Sequence, residues 1–249
     1  MKITFVGSGH GVPAAERYCS SAMIEAGNAI YFIDAGAPIM DELLRLGKSI
    51  NDVRAVFITH CHSDHTLGML SMAGLLNWYY KEASVFFYLP EEEMIEACKH
   101  IMAANHNTYS KVDQVKYRYF DANLVYEDEN IKLTAFKTRH LERLNAPSYG
   151  FVVTDKESGK RIVFTGDLSH QLALEDFPAI AMSENVDALV CEMAHFKLEH
   201  VAPYLEKCTA KAVYFNHVFP LSKLDDIEAA NGSYPFPLYT LKDRDEIVL

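Results

Sequence analysis

The sequence predicts an α/β fold, in which strands and helices alternate along the chain. Short apolar runs typical of buried strands alternate with longer segments of helical periodicity. Histidine or aspartate directly follows several of these runs, and α/β proteins bind ligands at the ends of their strands. The 249 residues, 49% of them hydrophobic, suffice for one large domain with a substantial core, and no linker or fixed-period repeat divides them.

The predicted strands are the runs rich in β-branched and aromatic residues. In chain order we expect them at residues 2–6, 30–34, 55–59, 84–89, 131–137, 149–154, 161–165, 187–191, 212–216 and 246–249. The predicted helices are the longer segments between these runs, at residues 38–47, 65–80, 91–104, 169–183 and 197–208. Strands and helices therefore interleave along the chain.

A dense set of metal-binding side chains follows the strand predicted at 55–59. It comprises His60, His62, Asp64 and His65. Side chains two positions apart on an extended segment point the same way, so His60 and His62 can share one ion. Asp64 and His65 lie past the turn, where a helix starting near His65 directs them to a second ion. Imidazole nitrogen and carboxylate oxygen suit zinc, and also iron or manganese, so we expect two adjacent metals rather than a polar surface loop.

Further candidate ligands follow three later strand-like runs. His140 comes after the run 131–136, and His217 comes after 212–216. Asp167 comes after a run that ends in Gly166, a residue that lets the backbone turn closely. All of these side chains lie at the carboxyl ends of predicted strands.

In these residues the chain resembles the metallo-β-lactamase superfamily. The segments Phe5–Gly9, Ile33–Gly36, Pro147–Phe151 and Phe164–Asp167 are similar to the ribonuclease Z and phosphodiesterase branch. The resemblance extends over nearly the whole chain. It implies a four-layer αββα sandwich formed by one metallo-β-lactamase-like domain, residues 1–249, with the metals at one edge between two sheets.

The resemblance also implies which residues bind the two divalent ions, for which we expect zinc, with manganese or iron as alternatives. One ion is assigned three histidines, the other is assigned one aspartate and two histidines, and a second aspartate bridges them. A metal-bridging hydroxide is then the nucleophile. The first set is His60, His62 and His140; the second is Asp64, His65 and His217; the bridging residue is Asp167.

Two departures from the ribonuclease Z pattern affect the expected function. Only 27 residues separate His140 from Asp167, and two predicted strands occupy most of them. This leaves no room for the tRNA-binding arm of that group, which disfavours tRNA as a substrate. In addition, Cys191 stands where the branch often has a histidine before Glu192. The nearest imidazole is His195, for which a general acid assisted by Glu192 and a histidine without a chemical part are equally weighted interpretations.

The catalytic candidates are therefore Asp64, Glu192 and His195. His10, in the first glycine-rich loop, and His170, shortly after Asp167, are further histidines that the fold can bring near the metals. An aromatic segment between the histidine box and His140 fits a lid or a homodimer contact, although ordinary core packing is the favoured explanation.

Composition and charge limit the kinds of substrate and cellular location that we expect. The formal net charge of −11 disfavours broad attraction to nucleic acid. The resemblance instead favours a small or nucleotide-like anionic substrate, which Arg139 and Arg143, on either side of His140, could contact. Neither a signal peptide nor a membrane-spanning segment is expected, so we predict a cytoplasmic protein. The five cysteines form no CxxC pair and are expected to be reduced, with Cys61 packing away from the metals rather than binding them.

The sequence is consistent with three functions. The first is a dinuclear-metal phosphodiesterase, acting on small cyclic or nucleotide-derived substrates. The second is a metal-dependent hydrolase of lactones, esters or thioesters, since the same hydroxide attacks carbonyl groups. The third is a non-catalytic metal-binding protein on the same fold, which the complete set of expected ligands disfavours.

Overall fold

The protein folds into two mixed β-sheets packed face to face and covered by helices on their outer sides. We describe a computed structural model, which covers residues 1–107, 114–121, 123–169 and 175–249. Within these residues each sheet contains seven strands. The predicted αββα sandwich is confirmed.

The first sheet is built mainly from the N-terminal half of the chain. Its spatial order is β14-β1-β2-β3-β4-β5-β6, with antiparallel pairing at the N-terminal meander and parallel pairing from β3 to β6. Its strands are β1 (Lys2–Gly7), β2 (Ser21–Ala26), β3 (Ala29–Ile33), β4 (Val53–Phe57), β5 (Val85–Leu89), β6 (Val115–Tyr119) and β14 (Glu246–Val248).

The second sheet has the order β13-β12-β11-β10-β9-β8-β7. Strands β10 to β13 are parallel to one another, whereas β7 to β10 form an antiparallel meander. The strands are β7 (Asn123–Glu127), β8 (Ile131–Thr138), β9 (Ser148–Asp155), β10 (Arg161–Phe164), β11 (Ala188–Met193), β12 (Val213–Val218) and β13 (Leu238–Thr240).

The helices of the described residues cover the outer faces of the two sheets. The first three pack on the first sheet, and the last three pack on the second. They are α1 (Ile39–Arg45), α2 (Ser63–Trp78), α3 (Glu92–Ala104), α4 (Ile180–Ser183), α5 (Leu198–Leu205) and α6 (Lys223–Ala230), with 3₁₀ turns at Ile50–Asp52 and Glu142–Leu144. Within the described ranges, every helix is too short or too polar to cross a lipid bilayer.

Three layers of apolar side chains hold these elements together. The central layer lies between the sheets and includes the fully buried Phe57, Phe151 and Ile162. One outer layer lies under α1 to α3, and the other lies under α4 to α6. Because both faces of each sheet are buried, the central strands are nearly continuous apolar runs, which made them recognisable in the sequence.

The structure corrects several predicted elements. Four strands (β2, β6, β7 and β13) and helix α6 were not predicted. Strands β6, β7 and β13 lie at sheet edges, where one face meets solvent and charged residues interrupt the apolar pattern.

The predicted helix at 169–183 is wrong over its described part. Residues 175–179 form a turn containing Pro178, and helix α4 is confined to Ile180–Ser183. The Asp176 carboxylate in this turn accepts hydrogen bonds from the backbone N–H groups of Arg139 and Ser169. Residues 170–174 of the predicted helix, including His170, lie outside the described residues, as does part of the aromatic segment, 108–113.

Candidate metal centre

The candidate metal ligands converge at one end of the sandwich, between the carboxyl ends of strands from both sheets. The loop after β4 and the first turn of α2 supply four of them. The remaining three come from the second sheet, after β8, after β10 and at the end of β12. Together they are His60, His62, Asp64, His65, His140, Asp167 and His217, and they form clusters that could hold metal ions.

Three histidines form the first group. His60 Nε2 lies 3.1 Å from His62 Nδ1, and His140 Nε2 lies 3.5 Å from the same atom. Strand β4 ends at Phe57, two residues earlier than predicted, so His60 and His62 lie in a loop. Their side chains nevertheless face the same way, as expected for positions i and i+2 of extended backbone.

One aspartate and two histidines form the second group. Asp64 Oδ2 lies 3.7 Å from His65 Nε2 and 3.8 Å from His217 Nε2. The Nε2 atoms of His65 and His217 are buried and have no hydrogen-bond partner among the described residues. Buried polar atoms are rarely left in that state without an ion or water beside them.

Asp167 lies between the two groups. Its Oδ2 atom is 3.7 Å from Nε2 of His60, His65 and His140, and 3.5 Å from Nε2 of His217. Gly166, at φ +59°, precedes it, and a Cβ there would lie 2.2 Å from the carbonyl oxygen of Tyr149. A glycine is therefore required to bring Asp167 into this position.

These spacings fit metal ions better than hydrogen bonds between the side chains. Ligands about 2.1 Å from a tetrahedral zinc are separated from one another by about 3.4 Å. Burial lowers the pKa of His140 to about 4, and burial with neighbouring histidines holds the pKa of His60 well below its usual value. Both rings are then neutral at physiological pH, as metal binding requires.

A buried carboxylate that the sequence did not mark as functional orients one of these rings. Asp34 Oδ2 accepts a hydrogen bond of 2.8 Å from His65 Nδ1, which leaves Nε2 free to bind metal. Thr59 donates to Asp34 through both its N–H and its hydroxyl group. Asp34 has φ +59°, a strained conformation for a non-glycine residue. The similarity of Ile33–Gly36 to the superfamily was the available signal.

His217 reaches the site through an irregularity in strand pairing. The register between β11 and β12 shifts beside it, so that Glu192 pairs with Asn216 and Met193 with Val218. His217 has φ +53° and donates its backbone N–H to the carbonyl oxygen of Ser8, 3.1 Å away. Such a bulge re-aims a side chain, which explains how a residue inside a strand faces the metal centre.

Glu192 and His195 form a hydrogen-bonded pair at the edge of the centre. Glu192 Oε1 lies 2.8 Å from His195 Nδ1, and His195 Nε2 lies 3.8 Å from Asp167 Oδ2. Burial opposes protonation of His195, but the hydrogen bond and charge of Glu192 outweigh it and raise the pKa of His195 to about 9. His195 also meets the distance requirement for a shared ion with His140 and Asp167, so its position suits either a proton donor or a ligand.

The remaining candidates lie at different distances from the centre. The His10 ring is stacked on Phe219, with centroids 4.8 Å apart, and is 4.9 Å from the His217 ring. Cys61 belongs to none of the metal-binding groups found in the described residues, and burial followed by the charge of Glu91 raises its pKa. Cys191 is buried in the core beneath α5.

The C-terminal segment also supports the site, which the sequence did not reveal. The Asp243 carboxylate accepts hydrogen bonds from the N–H and hydroxyl group of Ser8, at 2.8 and 2.7 Å, and from the Tyr18 N–H. Ser8 in turn accepts the backbone N–H of His217. Residues near both ends of the chain therefore fix one candidate ligand.

A family model described as "Anti-Pycsar protein Apyc1" matches residues 1–216, most of the chain. The chain belongs to this family. Ribonuclease Z from Gloeothece citriformis is a curated relative of this Apyc1-family chain, 27% identical over 161 residues. The alignment includes 63% of this chain and 48% of the relative, so the chain spans about half the length of the curated relatives it matches.

Solved structures share the fold of this Apyc1-family chain over its whole length. The short form of human tRNase Z has a TM-score of 0.75 at 19% identity, covering 100% of this chain and 99% of its own. The metallo-β-lactamase fold protein YhfI from Bacillus subtilis has a TM-score of 0.77 at 20% identity, covering 99% of both chains. The chain therefore has the metallo-β-lactamase fold.

Proposed function

We propose that this protein is a dinuclear-metal hydrolase of phosphodiesters, with small cyclic or nucleotide-derived phosphodiesters as substrates. The observation that carries the proposal is the position of Asp167. Its Oδ2 atom lies within 3.8 Å of nitrogen atoms from both ligand groups and of His195 Nε2. One carboxylate oxygen therefore links the two metal-binding groups to a candidate proton donor.

The donor set supports two divalent ions, and we assign the ligands as the superfamily resemblance implies. His60, His62 and His140 would hold one ion, and Asp64, His65 and His217 the other, with Asp167 shared. Zinc suits this mixture of imidazole and carboxylate, with manganese and iron as alternatives. Bound ions would supply an activated water at neutral pH and stabilise negative charge on the phosphoryl oxygens.

The protein side chains supply proton transfer. His195 is protonated at neutral pH because its pKa is about 9, and its Nε2 atom faces the centre. Burial disfavours the charge of Glu192, but its bond to His195 outweighs this and lowers the pKa of Glu192 to about 2. We assign His195 as the acid that protonates the leaving oxygen, and Glu192 as the carboxylate that orients and charges it.

The relatives support the phosphodiester assignment by their names. A ribonuclease acts on RNA, whose backbone is a chain of phosphodiesters, and we extend that bond type to this chain. The family name, anti-Pycsar protein, describes proteins that act against Pycsar, and we extend that role to this chain as part of the proposal.

A substrate panel with metal-quantified protein tests the proposal. Bis(p-nitrophenyl) phosphate and cyclic nucleotides should be hydrolysed in the presence of zinc or manganese, and Asp167→Ala should nearly abolish the activity. A lactone and a thioester are assayed in parallel under the same metal loading. Turnover of these carbonyl compounds alone would overturn the phosphodiester assignment, as would metal binding without turnover of any substrate.

A further inference from the structure

The loop that carries His195 is held from two sides. It consists of Ala194, His195 and Phe196, between β11 and α5. On the inner side, Glu192 Oε2 accepts the backbone N–H groups of Ala194 and His195, at 2.6 and 3.2 Å. These bonds hold the N–H groups of Ala194 and His195 on the Glu192 carboxylate.

A single ammonium group donates hydrogen bonds to backbone carbonyl groups of this segment. Lys223 Nζ donates to the carbonyl oxygens of Met193, Ala194 and Phe196, at 3.0, 2.8 and 2.6 Å. A lysine ammonium has three N–H donors, so all of them are used on the end of β11 and this loop. Lys223 is the first residue of α6 and lies outside residues 1–216, the part of the chain that the family model matches.

The charge at this position has few other partners nearby. Partial burial lowers the pKa of Lys223, Glu192 opposes that shift, and Lys197 adds to it. Within the described residues, Lys223 forms no ion pair with a carboxylate, and the hydrogen bonds of its ammonium group all go to carbonyl oxygens between Met193 and Phe196. Charged donors bond carbonyl groups more strongly than neutral ones do, so the loss of this group should release the loop.

We propose that Lys223 is a positioning residue, which fixes the 194–196 loop so that His195 faces the reacting phosphodiester. The inference rests on the proposed function, because His195 is assigned there as the acid. Lys223 itself touches neither the substrate site nor a candidate metal ligand in the contacts described. Lys223 should therefore affect the hydrolysis rate only through the proton-transfer step that depends on His195.

Two phosphodiesters that differ only in the leaving group separate this role from a general structural one. Methyl p-nitrophenyl phosphate releases a stable anion that needs little protonation, whereas methyl phenyl phosphate releases a more basic one that benefits from an acid. General acid catalysis contributes about 10²–10⁴-fold, so Lys223→Met should lower kcat/KM for the phenyl ester at least about tenfold. The p-nitrophenyl ester should change less than about threefold, and in a His195→Ala background Lys223→Met should have no further effect on the ratio of the two rates.

Amide hydrogen exchange of the metal-free protein gives a readout that does not depend on activity. Exchange at Ala194 and His195 should accelerate about tenfold or more in Lys223→Met and stay near wild type in Lys223→Arg, which retains charged donors. Lys197→Met is the matched control, since that side chain is 71% exposed at the end of the same loop. Should Lys223→Met fail to fold, Lys223→Leu, which likewise has no side-chain N–H donor, replaces it.

The outcomes distinguish the two proposals. Unchanged exchange and an unchanged ratio of phenyl to p-nitrophenyl rates in folded Lys223→Met, or in the Lys223→Leu variant that replaces it, would overturn the role of Lys223 and leave the phosphodiesterase assignment intact. If the wild type hydrolyses no phosphodiester, the proposed function fails, and the exchange measurement alone decides whether Lys223 holds the loop.

Discussion

At the scale of single residues, two buried carboxylates hold two imidazole rings of the site in the same way. Asp34 bonds Nδ1 of His65, and Glu192 bonds Nδ1 of His195, each at 2.8 Å. Both bonds leave the Nε2 atom directed towards Asp167. The two rings differ in their surroundings, because His65 is fully buried beside Asp64, whereas His195 lies partly exposed at the edge of the site.

Removing the charge of Asp34 should weaken metal binding. In Asp34→Asn the side chain still accepts a hydrogen bond from Thr59, but His65 loses the carboxylate that orients it. Loss of such a partner typically reduces metal affinity by about 10–100-fold. Competition with a chelator measures the affinity. Asp128→Asn is the control, since Asp128 accepts bonds from Tyr31 and Tyr126 away from the centre; equal losses in both variants would refute a specific role for Asp34.

Replacing Glu192 should change the pH dependence of activity. His195 acts as an acid only in its protonated form, so the wild-type rate should fall as pH rises through about 9. In Glu192→Gln the pKa should return towards about 6.5, which lowers the protonated fraction at pH 8 by about 30-fold. The shift is measured as the pH at which kcat for a phenyl phosphodiester falls on the alkaline side of the profile. If kcat of Glu192→Gln falls at the same pH as that of the wild type, another group supplies the proton.

At the scale of elements, helix α2 is placed by a close contact with the loop after β3. The Ala35 N–H donates to the His65 carbonyl, and the Gly68 N–H donates to the Ala35 carbonyl, at 2.8 and 2.6 Å. A Cβ at Gly68 would lie 1.9 Å from the Ala37 carbonyl oxygen. This contact allows the first turn of α2 to present Asp64 and His65 to the centre.

Two glycines of α2 should respond in opposite ways to alanine. Gly68→Ala forces the helix away from its backbone neighbour and should lower the free energy of unfolding by about 1–3 kcal/mol. Gly74 meets only the flexible side chain of Asn107 at 3.1 Å, so Gly74→Ala should be neutral or stabilise by about 0.5–1 kcal/mol through helix propensity. Urea denaturation of both variants measures the difference, and equal stabilities would contradict the proposed contact.

The sequence predicted elements and candidate ligands where local signals were strong. The apolar composition of residues 161–165 predicted a buried strand, and the close spacing of the side chains from His60 to His65 predicted metal ligands. Strand β6 and helix α6 were missed, because edge strands and short polar helices carry weak patterns. The bulge at His217 could not be predicted either, since it depends on how β12 pairs with β11.

At the scale of the whole molecule, the ends of the chain meet beside the centre. Strand β14 pairs with β1, and the segment before it contributes Asp243 to the loop of Ser8. Through the Ser8 carbonyl, this carboxylate supports the strained backbone of His217. The C-terminal residues therefore stabilise both the first sheet and one group of candidate ligands.

Loss of the Asp243 carboxylate should affect one metal more than the other. In Asp243→Ala the Ser8 loop loses three hydrogen bonds, so the group of Asp64, His65 and His217 should bind metal more weakly. The group of His60, His62 and His140 should be less affected. Asp245→Ala is the control, because in the described residues that carboxylate accepts the exposed Lys242 N–H and makes no bond to the loop of Ser8. Calorimetric titration with zinc resolves the two affinities; two equally weakened sites would contradict the expectation.

The most direct test of a two-metal phosphodiesterase is a metal titration followed by activity. Metal-stripped protein is given increasing equivalents of zinc or manganese, and the initial rate of bis(p-nitrophenyl) phosphate hydrolysis is measured at each step. We expect little activity at one equivalent and a rate that stops rising at about two equivalents per chain. Full activity at one equivalent, or no hydrolysis with two ions bound, would contradict the central claim.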